Sequence, residues 1–146
     1  MPAVDDSPLK KLASNTLGAR LDSIFDLVTR MQRIQQYDCI WDCCCDHGYL
    51  GIKILAAQVC PTLYFVDQVP HIIEQLSAKL ETLTQGHFNK FQYRTLALDA
   101  SALSFPAGER HLVVLAGVGG EHIVDIIRAI EARSHDGNID YLLCPT

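Results

Sequence analysis

No stretch of this chain approaches the roughly 18 uninterrupted apolar residues of a membrane-spanning helix. The opening residues, MPAVDDSPLKK, lack the basic start and apolar stretch of a secretory signal. The expected compartment is therefore the cytoplasm, with the six cysteines held as reduced thiols. There is no excess of positive charge: the formal net charge is −5, so the overall balance does not advertise nucleic-acid binding. The basic residues Lys10, Lys11, Arg20, Arg30 and Arg33 do gather ahead of the core, as a local patch. No G-K-[ST] follows any glycine turn, which excludes a P-loop. Internal repeats and low-complexity tracts are also absent. What is present is 146 residues, 49% hydrophobic and 20% charged, enough for one globular domain with an unstapled core.

The densest local feature is the run Trp41-Asp42-Cys43-Cys44-Cys45-Asp46-His47-Gly48-Tyr49-Leu50. With Cys39 it resembles a metal-binding tract, but zinc sites space their ligands as C-x2–4-C and draw a second pair from a distant segment. Consecutive cysteines at a strand end point in alternating directions, and Cys60 and Cys144 stand alone. The expectation is structural thiols and no metal.

Periodicity divides the chain into a tail over residues 1–16, a helical segment over 17–36 and an α/β domain over 37–146. A helical pattern already starts at Leu9 and runs to Gln36, with Leu17, Leu21, Ile24, Phe25 and Val28 as its apolar stripe. From Cys39 onward short apolar runs alternate with amphipathic helices. The predicted strands are CIWDC, TLYFV, Phe91 to Leu98, HLVVLA and YLLC. Helices are expected from Gly48, over Pro70 to Gln85 and over Glu121 to Arg133, where the Ser134 to Asn138 cluster breaks the last one. This alternation predicts a Rossmann-like α/β fold, a mostly parallel twisted sheet with helices on both faces. Such a sheet normally continues past the fifth strand. The last strands are thus expected to be missing, leaving Tyr141 to Cys144 as an apolar edge for another chain or a further segment to cover.

Ligands of parallel sheets lie across the carboxyl ends of the strands. The strand ends here carry Asp42 to Gly48, Asp67-Gln68, Asp99-Ala100 and Gly117 to Gly120. A strand, a turn, a helix and a second strand tipped by Asp67 make up a nucleoside-binding half-domain, with that acid accepting from ribose hydroxyls. A dinucleotide site would concentrate glycines in the first turn to admit a pyrophosphate. This turn holds one glycine, Gly48, and two acids, Asp42 and Asp46, which repel a pyrophosphate and favour a cation. S-adenosylmethionine carries a sulfonium and an α-amino group, and fits on charge.

The run Asp42-Cys43-Cys44-Cys45-Asp46-His47-Gly48-Tyr49-Leu50 resembles the D-I-G-[SC]-D-H-A-Y-L motif of the bacterial tRNA adenine-N1 methyltransferases that modify adenosine 22, the TrmK family. Arg20-Leu21 is similar to that family's R-L segment, Ala116 to Gly120 to its A-G-M-G-G turn, and Leu142 to Thr146 to its L-I-L-Q-P-N strand end. The likeness spans roughly residues 17 to 146. It implies a class I methyltransferase that uses S-adenosyl-L-methionine and takes tRNA as substrate, with a helical C-terminal region beyond the catalytic domain. Cys44 stands where the family has its first motif glycine, and Cys144 and Thr146 replace Gln and Asn of Q-P-N.

The resulting expectations are specific. Asp42 anchors the first turn and approaches the methionine amino group; Asp46 and His47, with Cys44 and Gly48, shape the pocket; Tyr49 and Leu50 begin the helix against the ligand. Asp67 holds the ribose, with Gln68 beside it, and Asp99-Ala100 reads the adenine. Ala116, Gly117 and Val118 approach the cofactor, while Gly119, Gly120, Arg20 and Pro145 face the substrate. His71, His87, His111, His122 and His135 are expected on the surface or in turns. Three functions stay open: a tRNA adenine-N1 methyltransferase, a methyltransferase on another substrate, and a non-catalytic cofactor- or RNA-binding module.

Overall fold

Strands β1 (Cys39–Cys43), β2 (Thr62–Asp67), β3 (Tyr93–Ala97), β4 (His111–Val118) and β5 (Ile139–Pro145) form one five-stranded sheet. A computed structural model describes residues 8–14, 17–85, 92–133 and 138–146. The expectations for the start of the tail, His87, Phe91, His135 and most of the Ser134 to Asn138 break lie outside these residues. Every strand pairing is parallel, and the order is β3-β2-β1-β4-β5. The chain therefore winds outward from β1 to β3, then returns across β1 to start β4. That reversal puts the switch point between β1 and β4, the place where open α/β sheets hold ligands.

Alternation along the strands assigns the two faces. Ile40, Leu63, Phe65, Leu112 and Val114 point to one side, where they pack with buried residues of α2 (Ala19–Gln35), α3 (Tyr49–Ala56) and α4 (Pro70–Leu83). Trp41, Cys43, Val66, Val113 and Leu115 point to the other, against Ile123, Ile126 and Ile130 of α5 (Gly120–Arg133). Burial on both faces explains why the strands read as nearly continuous apolar runs. Trp41 is stacked on Tyr64 with ring centroids 3.7 Å apart. Losing Phe65, which is fully buried, would cost about 3–5 kcal/mol by the usual large-to-small penalty.

The N-terminal helical pattern is split. Residues read as tail form α1 (Pro8–Ala13), whose Leu9 is fully buried and which packs on α3. Gly18, at φ +93°, stands in the left-handed region immediately before α2, so no single helix runs from Leu9 to Gln36. Pro70 opens α4 at a position where its missing N–H costs nothing. β5 pairs with β4 on one side and is an edge of the sheet, with Leu143 exposed. Among the described residues no helix is long and apolar enough to cross a membrane.

Candidate functional site

The turn after β1 is stitched to the end of β2. The Cys45 amide donates to the Val66 carbonyl (3.1 Å), and the Asp46 amide donates to Asp67 Oδ2 (3.2 Å). The Gly48 amide closes the turn on the Cys45 carbonyl at 2.8 Å. Three turn residues take left-handed backbone: Cys44 (φ +60°), Asp46 (φ +51°) and Gly48 (φ +80°). Gly48 is doubly constrained, since a Cβ there would sit 2.6 Å from Leu76 Cδ1. Aspartate tolerates this region, whereas cysteine pays roughly 1–2 kcal/mol.

Two clefts open beside this turn, at the carboxyl ends of the strands, and Cys44 lines both. The first, about 410 Å³, runs from Asp67 and Gln68 to Leu98, Asp99 and Ala100, with His122 and Ile126 of α5 on its far wall. The second, about 560 Å³, is bounded by Asp42, Asp46, His47, Tyr49 and Leu50 on one side and by Arg20, Ala116 and Gly117 on the other. Most of the expected cofactor residues are thus brought together. Gly48 lies buried beneath the turn and lines neither cleft. Val118 is also buried, packed in the α5 core: the irregularity of β4 between Ala116 and Val118, at Gly117 (φ +78°), breaks the alternation and brings its side chain to the face of Val113 and Leu115. Gly119 and Gly120, expected to face substrate, are exposed where α5 begins, with open space around each Cα. Pro145 pairs with Val118 at the end of β5 and is likewise outside both clefts.

Asp42 is 3% exposed, and its Oδ2 accepts the Gly51 amide at 3.1 Å. Burial pushes this carboxyl up to about 7; the Gly51 bond acts in the opposite direction, and the nearby Asp67 adds to the rise. Asp67 accepts from the amides of Asp46 and Val69, which leaves acceptor capacity on both carboxylate oxygens. Asp99 caps the 3₁₀ turn Ala100–Ala102 through Ser101 N (2.9 Å), and that bond holds its carboxyl below the ordinary range. The Cys44 thiol is pushed up to about 11 by burial and by the carboxylates of Asp67, Asp42 and Asp99, so it is a neutral thiol. Arg20 lines the second cleft and donates to the Cys144 carbonyl (3.3 Å) and sulfur (3.4 Å).

The sequence reading missed several residues here. His122, placed on the surface, is exposed on α5 and also borders the first cleft. Gly51 was read only as part of a helix; a glycine inside a helical run was the available signal. His111 corrects the expectation of a surface histidine: it is 1% exposed at the start of β4. The Trp41 indole donates to its Nδ1 (3.1 Å), which places the proton on Nε2, beside the Pro106 carbonyl (3.0 Å). His111 lies with Cys39 and Glu109 as a group of potential metal ligands. Both ring nitrogens are already committed, and the Cys39 thiol donates to Glu109 at 3.3 Å. This cluster is a hydrogen-bonded network at the amino end of the sheet, opposite the clefts.

A parallel sheet ordered 3-2-1-4-5, with acids at the ends of its first strands and paired clefts at the switch point, is the architecture of class I methyltransferases. The chain matches the methyltransferase-domain family over residues 17–146 and belongs to it. The cofactor of that family is S-adenosyl-L-methionine. No curated protein matches the chain. Among solved structures, TrmK of M. capricolum in complex with S-adenosylhomocysteine is similar at TM-score 0.67 and 19% identity, over 90% of this chain and 53% of that one. An uncharacterised protein of Listeria monocytogenes gives 0.65 and 19%, over 89% and 52%. Coclaurine N-methyltransferase, bound to N-methylheliamine and S-adenosylhomocysteine, gives 0.57 and 16%, over 88% and 37%. The chain spans about half the length of the first two of these proteins.

Proposed function

We propose that the two clefts together seat S-adenosyl-L-methionine and that the protein transfers its methyl group to N1 of an adenosine in tRNA. The single observation that carries the cofactor assignment is the row of carboxylates along one strand-end surface: Asp99 and Asp67 at the first cleft, Asp46 and Asp42 at the second. In this arrangement Asp67 accepts from the ribose hydroxyls, Gln68 lies beside it, and Asp99-Ala100 meets the adenine edge. Asp42 and Asp46 face the positively charged methionine end, flanked by His47, Tyr49 and Leu50. Ala116 and Gly117 close the opposite wall. Gly117, at φ +78°, keeps the backbone turned back with no side chain to fill that wall.

When bound, the cofactor supplies an electrophilic methyl group. N1 of adenine carries an available lone pair, so no side chain need act as a general base. The protein's part is alignment, with effective molarities on the order of 10⁵ M or above for well-oriented pairs. N1 lies on the Watson–Crick edge, so a paired target must first leave its stack. Support for tRNA comes from the motif resemblance and from the likeness to TrmK. A test is incubation of the protein with S-adenosyl-L-methionine and unmodified tRNA transcripts. N1-methyladenosine, detected by mass spectrometry of digested RNA, is the expected product; a folded protein that methylates no RNA would overturn the proposal.

One observation favours a second reading, cofactor binding without transfer. Cys44 projects a side chain at the junction of the clefts from a backbone that favours glycine. Affinity for S-adenosylhomocysteine together with inert RNA would favour that alternative.

A further inference from the structure

The second cleft carries Asp42 and Asp46, and among the described residues neither forms an ion pair with a lysine or arginine, although Arg20 lines the opposite wall. Asp42 lies at its base, 3% exposed, with Oδ2 accepting the Gly51 amide. The groups facing Asp42 come from each element around it. β2 contributes Asp67; β1 contributes Cys43, and the turn contributes Cys44, Cys45, Asp46 and His47. From α2 comes Arg20, which is engaged with Cys144, and from α3 the Gly51 amide and the Tyr49 phenol, Lys53 being paired with Asp22. Among the described residues no ion pair neutralises Asp42.

We propose that Asp42 is the charge that distinguishes the sulfonium donor from its neutral-sulfur product, and that protonation of Asp42 switches this distinction off. The inference rests on the cofactor assignment above and adds selectivity to it. S-adenosylmethionine and S-adenosylhomocysteine share the adenosine, the ammonium and the carboxylate; they differ in one methyl group and one positive charge. A buried carboxylate with no counter-ion feels that charge with little screening by water. Burial holds Asp42 near neutrality in its titration, at about 7, so the switch falls within the physiological range. Binding the cation favours the carboxylate, and the proton leaves to solvent.

The test is calorimetric titration of each ligand into the intact chain at about pH 6 and about pH 8, in buffers of different ionisation enthalpy. In the wild type the ratio of affinities, methylated over demethylated, is expected to rise about tenfold across that range. Near pH 6, binding of S-adenosylmethionine should release close to one proton more than binding of S-adenosylhomocysteine. Asp42→Asn keeps an acceptor for the Gly51 amide and should show a flat ratio and no extra proton. A flat ratio in the wild type overturns the proposal whatever the variant does, and the same pH dependence in Asp42→Asn assigns the effect elsewhere. A folded protein that binds neither ligand at either pH overturns the cofactor seat together with the inference; binding with a flat ratio overturns the inference alone.

Discussion

The Gly51 amide donates to Asp42 Oδ2 at 3.1 Å, and a Cβ on Gly51 would lie 2.9 Å from that same oxygen and 2.3 Å from Phe65 Cε1. The absent side chain therefore lets α3 settle on β1 and β2, close enough for the Gly51 amide to reach the buried Asp42 carboxylate. Gly51→Ala gains helix propensity, about 1 kcal/mol, but forces ring and carboxylate apart in a packed layer. The net loss of stability is expected to be on the order of 1–3 kcal/mol in urea unfolding. An unchanged midpoint would mean that the layer is looser than these distances imply.

Asp42 gives stability a pH dependence of unusual sign. Burial raises its carboxyl from the ordinary aspartate range to about 7 in the fold. A group raised on folding contributes stability that is fully present below the unfolded value and lost as pH rises through the folded one. The window is therefore from about pH 4 to about pH 7. Asp42→Asn, which cannot ionise, should match the wild type near pH 4 and exceed it above pH 7, by on the order of 4 kcal/mol. Unfolding curves at both ends of the window check this, and a variant that is less stable at high pH contradicts it.

Cys44 combines backbone strain with a thiol in the cleft, and two substitutions separate them. Cys44→Ala removes the sulfur and keeps a Cβ at φ +60°; Cys44→Gly removes both. The glycine variant should be more stable than the alanine variant by about 1 kcal/mol, after its larger loss of chain entropy on folding. Both should bind S-adenosylhomocysteine more tightly than the wild type if the thiol crowds the seat. Unchanged affinity in both would clear Cys44 of that role.

Much of the fold was legible in the sequence because strands buried on both faces are short apolar runs and amphipathic helices separate them. β1 was delimited at Cys39 and Cys43, and the strand-end acids lie at the end of the sheet where the two clefts open. The break at Gly18 was not legible, since the apolar stripe reads through a single glycine whose φ a sequence does not display. Gly51 escaped notice for a related reason: its role depends on Phe65, which arrives from another strand. The wall formed by His122 and Ile126 depends on how α5 crosses the sheet, a tertiary matter with no local pattern. Gly119 and Gly120 were expected at the site because their turn was, yet the helix starting at Gly120 carries them away from both clefts.

Asp67 carries the sharpest prediction about binding. Its carboxylate holds two backbone amides and has acceptor positions to spare for ribose hydroxyls. Asp67→Ala should weaken affinity for S-adenosylhomocysteine by more than about 1 kcal/mol, since a charge-assisted hydrogen bond is lost. Asp67→Asn, which retains one acceptor oxygen, should fall between that variant and the wild type. Wild-type affinity in Asp67→Ala would remove the ribose assignment.

The central claim, that the acid-lined pair of clefts seats S-adenosyl-L-methionine, is tested most directly by calorimetric titration of S-adenosylhomocysteine into the 146-residue chain. Saturable micromolar binding with a stoichiometry near one is the expected result. Absence of binding to a protein shown by circular dichroism to be folded would contradict it.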